Sequence, residues 1–427
     1  MLTLALVLAA LVPPLQDDPF RIPLEGEGDP AAGFDQAALD AKLAEILPRL
    51  ERIRGWDFRA PVTAGVQSIE GFRAFAESAL EEEYGAERFA GMMASAHLLG
   101  LLPDDRNFEE MMKEMLEAAV GGYYDPKTRK FWIMDGFSRG PLADMIMAHE
   151  LEHALDDQHY PLDPFFLAAR GNSDREFAAR CVVEGSATSA MNLYLVQAVQ
   201  QDWLPPGELL SGDMIGEQMK AMDKIPLSVV AGLILPYIEG NIFLIGGGTI
   251  FEAAMKPPAD FDLRRAFTAP PLSSEQILHP EKYWDAETAD PPREVEVPDR
   301  SAALGPGWQA VDHDTLGEIG CALLIAERLP TALELQFGAA GLRLPASSGW
   351  GGDSFRTYRH ADGSRLLQAI TEWDSEADAA EFAQACALPA VRARAPYLRE
   401  VVRTGARVEL LFADAAGAAA LARLRAE

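Results

Sequence analysis

The stretch PLADMIMAHELEHALDDQ, residues 141–158, contains His149-Glu150-Leu151-Glu152-His153, an H-E-x-x-H pattern. On a helix, residues four apart lie on one face about one turn apart, so both imidazoles reach a single metal ion. Glu150 then stands beside that metal, where it can take a proton from a metal-bound water. Pro141 suits the first turn of such a helix. The chemistry implied is zinc-assisted hydrolysis, most often of a peptide bond.

A catalytic zinc takes three protein ligands and keeps one position open. His149 and His153 supply two. Glu184, in the apolar helical stretch VVEGSATSA (182–190), is the leading candidate for the third. A carboxylate there is costly unless paired or metal-bound. Gly185 and Ala187 would let two helices approach closely. His159 competes from the end of the motif helix, although the H-x-x-G-x-x-H extension is absent. Asp157, one turn past His153, is expected to accept that histidine's other N–H. The oxyanion of peptide hydrolysis also needs a donor. His279 and Tyr283, in SSEQILHPEKYW, and Tyr237, in LILPYIEGNIF, are the candidates, each with an equally good structural reading.

Working outward, GGYYDPKTRKFWIMDG (121–136) reads as a β-hairpin turning at Asp125-Pro126. Its second strand, Lys130 to Met134, is expected to offer an edge to an extended peptide. Residues 36–56 place Leu39, Leu43, Ile46, Leu50 and Ile53 on one helical stripe. Residues 68–120 read as mostly helical with a break near Pro103. Further helices are expected over 174–200 and 225–245. Residues 257–300 are Pro-rich and mark a boundary. Beyond it, 314–329 suggests a helix, 357–373 a hairpin turning at Asp362-Gly363, 375–386 a helix, 406–414 a strand, and the tail a last helix. The fold class is therefore α+β, mostly helical. A domain over 36–300 precedes a smaller α+β module over 301–427.

Composition bounds the rest. The chain has 427 residues with 37 basic and 66 acidic side chains, net −29. That charge argues against nucleic acid, or anionic membrane, bound through a general basic surface. Leu2 to Val12 is an apolar run of signal-peptide length, too short to span a bilayer, although no Lys or Arg precedes it. The expectation is a signal peptide over 1–16, a linker over 17–35, and an exported protein. Ile225 to Phe251 carries one charge, Glu239, and is long enough to span a membrane. Its prolines and Gly246-Gly247-Gly248 favour a buried helix with a glycine stop, so no stable membrane span is expected. Of three cysteines, Cys181 reads as a buried thiol, and a Cys321–Cys386 disulfide is possible without support from spacing.

Six segments carry a resemblance: GGYYDP (121–126), AHELEHALDDQ (148–158), VVEGSAT (182–188), PYIEGNIF (236–243), PPLSSEQILHPEKY (270–283) and GWGGDSF (349–355). In this order they resemble gluzincin-type zincin metallopeptidases, and more closely bacterial proteins with an H-E-L-x-H-A-x-x-D-Q helix. That group usually has Gln where this chain has Asp156, a change that a position pointing away from the metal could tolerate. The resemblance implies a zincin-like domain with Zn2+ on His149, His153 and Glu184, Glu150 as base, and a peptide or protein substrate. Two rivals stand beside it: a catalytically silent zincin-like scaffold, and a zinc hydrolase of a non-peptide amide.

Overall fold

The computed structural model describes residues 33–103, 121–137, 139–201, 203, 225–335 and 337–424. The expected signal peptide, most of the linker and residues 104–120 of the expected helical stretch lie outside them.

Helix α1, Gln36–Arg54, starts where Asp35 accepts the N–H of Ala38 and stops at Gly55, whose φ of 71° is left-handed. It buries Leu39, Leu43, Ile46 and Leu50. Strand β1, Thr63–Gln67, leads into α2, Ile69–Leu98, which breaks its helical geometry at Gly85. The hairpin follows as β2, Gly122–Asp125, and β3, Lys130–Met134. The sheet order is β1-β3-β2, with β3 parallel to β1 and antiparallel to β2. Both edges of β3 are therefore filled, which corrects the expectation that Lys130 to Met134 would pair with a substrate. Strand β1 has no apolar alternation to announce it. Its only buried residue is Gly65, where a Cβ would meet the Trp132 ring at 2.7 Å.

The motif helix α3 runs Pro141–His159 and is buried on nearly all sides from Ala143 to Asp157. It is followed by α4, Leu162–Ala169, α5, Ser173–Gln200, and α6, Leu227–Leu244. Helices α5 and α6 cross with bare backbones in contact. A Cβ on Gly185 would lie 2.3 Å from the carbonyl carbon of Gly240, and one on Gly240 would lie 1.9 Å from the Cys181 carbonyl oxygen. Helix α6 is long and apolar enough to cross a membrane, and most of it is buried inside the protein. It ends at Gly246, Gly247 and Gly248, all with positive φ.

Helix α7, Ile250–Met255, precedes the Pro-rich stretch 257–300, which itself carries short helices: α8, Asp260–Thr268, α9, Ser274–Leu278, and α10, Glu281–Trp284. Side-chain caps start two of these four helices. Thr249 and Glu252 form a reciprocal capping box, and Ser273 accepts the N–H of Gln276.

The C-terminal part opens with α11, Ser301–Leu304, β4, Trp308–Asp314, α12, Gly317–Ile325, and α13, Ala332–Leu335. A 3-10 turn at Ala339–Leu342 leads to β5, Trp350–His360, and β6, Arg365–Trp373. Then come α14, Glu376–Cys386, α15, Pro389–Arg394, β7, Leu398–Thr404, β8, Arg407–Ala413, and α16, Leu421–Leu424. The sheet is antiparallel in the order β4-β5-β6-β8-β7. Strands β4 and β7 go beyond what the sequence reading anticipated. Cys321 and Cys386 are both free and buried, as is Cys181, so no disulfide links them.

The fold is α+β with two sheets, and the expected break at 300/301 does not separate its cores. Ile319, Ala322 and Leu323 of α12 join the core built around α1, α3, α5 and α6. Cys321, Leu324 and Ile325 of the same helix join the core of the second sheet, together with Leu98 and Leu99 of the α2 end.

Candidate metal centre

Helix α3 presents His149 and His153 from one face, with ring centroids 4.7 Å apart and planes nearly perpendicular. Helix α5 brings Glu184 against both. Its Oε2 is 3.1 Å from His149 Nε2, and its Oε1 is 3.6 Å from His153 Nε2. His149, Glu150 and His153 each offer a ligand atom within 4.8 Å of the others. All four side chains are buried.

The neighbours explain how this costly cluster is held. The backbone N–H of Tyr124, on β2, donates to Glu150 Oε2 at 2.9 Å. The ring of Tyr237, on α6, stacks on His149 at 5.5 Å, and its hydroxyl hydrogen-bonds with Glu184. The Gly185–Gly240 crossing makes that reach possible, because any larger residue at either position would hold α6 away.

Electrostatics within the cluster are strong. Burial pushes Glu150 up to about 8, with His153 and the Tyr124 N–H pulling the other way. Burial also favours the neutral form of Glu184, but His153 and hydrogen bonds from both histidines hold it down to about 2. Burial lowers His149 to about 4. Burial works against charge on His153 as well, yet Glu184, Glu150 and Asp156 overcome it and raise that imidazole to about 9. Burial, with Glu184 and Glu150 adding to it, keeps the Tyr237 hydroxyl protonated far above ordinary pH. The space between the two helices is one that favours a positive charge.

Behind α3 lies a second ionic layer. Arg54, at the end of α1, reaches Glu152 Oε1 at 2.8 Å and Asp156 Oδ1 at 3.0 Å. Ser186 donates to the other oxygen of Asp156 at 2.6 Å. Asp156 thus has a buried arginine and a serine as its hydrogen-bond partners. Nothing in the sequence marks Arg54 for this role, because its partners lie about a hundred residues downstream.

The other anticipated site residues go elsewhere. Asp157 does not serve His153. It accepts the Tyr124 hydroxyl at 2.8 Å and the Leu162 N–H at 2.7 Å, and lies 3.4 Å from Arg129 Nε. Among the described residues, neither Nδ1 of the two histidines has a hydrogen-bond partner. His159 turns to the Asp57 carbonyl and stacks on Trp56, away from the cluster. His279 lies 3.1 Å from Glu318 Oε1, and Tyr283 donates to the Ala269 carbonyl while packing on Phe243 and Trp284. Both hold the α9–α10 segment in place. Of the three candidate oxyanion donors, only Tyr237 stands at the cluster.

Residues 304–422 match a family model described as a domain of unknown function (DUF8575). The match lies wholly C-terminal to the cluster and covers the second sheet. No curated protein matches the chain. No solved structure matches it either.

Proposed function

We propose that the chain is a zincin-like, gluzincin-type metallohydrolase, with His149, His153 and Glu184 as zinc ligands and a peptide or protein as substrate. The observation that carries this reading is the spacing of Glu184 from the two imidazoles. Around a tetrahedral zinc with bonds of about 2.0–2.1 Å, ligand atoms stand roughly 3.3 Å apart. The distances here, 3.1 and 3.6 Å, bracket that value. Two imidazoles and one carboxylate are also a donor set common in catalytic zinc sites.

When bound, zinc would act as a Lewis acid that acidifies water and polarises a carbonyl. The chain's own groups supply the rest. Glu150 takes the proton of the attacking water on a carboxylate oxygen, and returns it to the leaving nitrogen. Burial, which favours its protonated form, helps it hold the proton between the two steps. Tyr237, held protonated, would donate to charge developing on the carbonyl oxygen by turning its hydroxyl from Glu184. The Tyr124 N–H fixes one Glu150 oxygen and leaves the other for water.

A second reading draws on burial: His149 and Glu184 are each 1% exposed. Closed sites are characteristic of structural zinc, which fits a silent scaffold. A zinc hydrolase of a non-peptide amide would use the same residues. One experiment separates these. Purified protein is expected to hold about one zinc per chain and to cleave members of a broad peptide library. Glu150→Gln should keep the zinc and lose cleavage. Zinc-free protein, or equal cleavage by the Glu150→Gln variant, would sink the proposal. Zinc retention without peptide cleavage would favour the scaffold or the other amide.

A further inference from the structure

Glu239 is the only charge on α6 and has no part in the chemistry above, yet it is 1% exposed. Its Oε1 accepts the N–H of Ala339, and its Oε2 lies 2.5 Å from an Arg343 guanidinium nitrogen. Ala339 opens the 3-10 turn, so the carboxylate meets the free N–H at that turn's start. Gly338, with φ 96°, gives the backbone room to wrap around it: a Cβ there would lie 2.8 Å from Oε1. All three partners fall within the 304–422 region.

The other side of α6 faces the metal centre. Two residues on a helix differ by about 200° around the axis, so Tyr237 and Glu239 point in opposed directions. Helix α6 packs along α5 through the buried side chains of both, and comes closest at Gly185–Gly240, where bare backbones touch. At that point of closest approach no side chains interlock, so the orientation of α6 there depends on contacts made elsewhere around the helix. The Glu239 carboxylate, gripped by a backbone N–H and a guanidinium, is one such contact and tethers α6 on the side away from Tyr237. A small rotation at the axis is magnified at the Tyr237 hydroxyl, and catalytic geometry tolerates only about 0.5 Å of looseness.

We propose that Glu239 and Arg343 form a clamp by which the 304–422 region sets the orientation of Tyr237 at the His149–His153–Glu184 cluster. Both are positioning residues. The functional consequence rests on the zinc reading above, whereas the clamp itself is a statement about Tyr237. The region of unknown function thereby gains a role as a brace for the site.

The test uses full-length protein labelled with 3-fluorotyrosine, with Tyr237→Phe assigning the Tyr237 fluorine signal. In Arg343→Met that signal should shift and broaden while most other tyrosine signals hold. The Glu239→Gln/Arg343→Met double variant should not restore it, since the grip is gone from both sides. Zinc affinity should fall by about tenfold, as for other groups that orient a metal site indirectly. An unchanged Tyr237 signal in folded Arg343→Met overturns the clamp. Should that variant not fold, Arg343→Lys is read instead, with a smaller displacement expected and none overturning the proposal. Wild-type protein that binds no zinc would sink the metal reading alone, because the fluorine signal reports on Tyr237 with or without metal.

Discussion

Arg54 neutralises two carboxylates at once, and the stability of α3 depends on it. Glu152 and Asp156 are fully buried on the back of that helix, and burial pushes Glu152 up to about 8 even with the guanidinium beside it. Removing one partner of a buried ionic network typically costs about 3–5 kcal/mol, because the remaining charge stays unpaired. Arg54→Met should lower the free energy of unfolding by an amount in that range, and adding Glu152→Gln and Asp156→Asn should recover part of it. An equilibrium unfolding series measures both. Glu184 is the opposite case. It is held ionised by the histidines, so Glu184→Gln should fold well but release its zinc to a weak chelator that wild-type protein resists. Metal analysis after dialysis reads this directly. At this scale the sequence is a good guide where chemistry is local. H-E-x-x-H points to two candidate ligands and a candidate base because a helix fixes their relation. It misplaces Asp157, whose neighbours Tyr124, Arg129 and Leu162 cannot be seen from spacing alone.

Among the elements, the α5–α6 crossing governs how the site is assembled. Gly185 and Gly240 are there because neither backbone can retreat from the other. Overpacking a tight core contact costs about 1–3 kcal/mol. Gly185→Ala should cost at least that much, and it should also weaken zinc binding, since it pushes Tyr237 away from Glu184. A control on α6, Gly232→Ala, meets nothing within 4 Å and should be neutral or slightly stabilising. Thermal unfolding with zinc titration on the three proteins checks the pair. The elements themselves are legible in the sequence where a periodic pattern or turn marks them, as in α1, the β2–β3 hairpin and the β5–β6 hairpin. Strand β1 escapes because Gly65, its one buried residue, is invisible to any hydrophobic pattern. The short helices α8 to α10 escape because each is too brief to show a period and lies among prolines.

Across the whole molecule, a buried polar seam joins the two halves. Asp174, on α5, accepts the Ser274 N–H at 2.9 Å, and a Cβ on Gly317 would collide with its carboxylate. Asp353, on β5, accepts the N–H groups of Leu316 and Gly317 and the Trp350 indole. That contact explains the GWGGDSF segment, whose aspartate caps α12 at the seam. Lys282 gathers Glu275, Asp290 and Asp374 at 2.5–3.1 Å across the same boundary. Burial pushes Asp174 up to about 7 and Asp353 up to about 6, against the hydrogen bonds each accepts. In the unfolded chain such groups lose their protons near pH 4. Between pH 4 and the folded values, the native state therefore holds more protons than the unfolded one, and these groups make stability fall as pH rises. Wild-type protein should lose more thermal stability than Asp174→Asn between pH 5 and pH 8. Equal losses in the two proteins would show that Asp174 stays ionised throughout.

What the sequence determined by itself is the local chemistry: the metal-binding pattern on its helix, the candidate third ligand, the glycine stop after α6, and the α+β class. Each depends on residues whose relation is set by helix or turn geometry over a few positions. The tertiary structure alone decided which of Tyr237, His279 and Tyr283 meets the cluster, that Arg54 backs it, and that α12 is shared between two cores. Those outcomes depend on contacts between residues far apart in the chain, where packing and charge neutralisation choose the partner and sequence spacing carries no information.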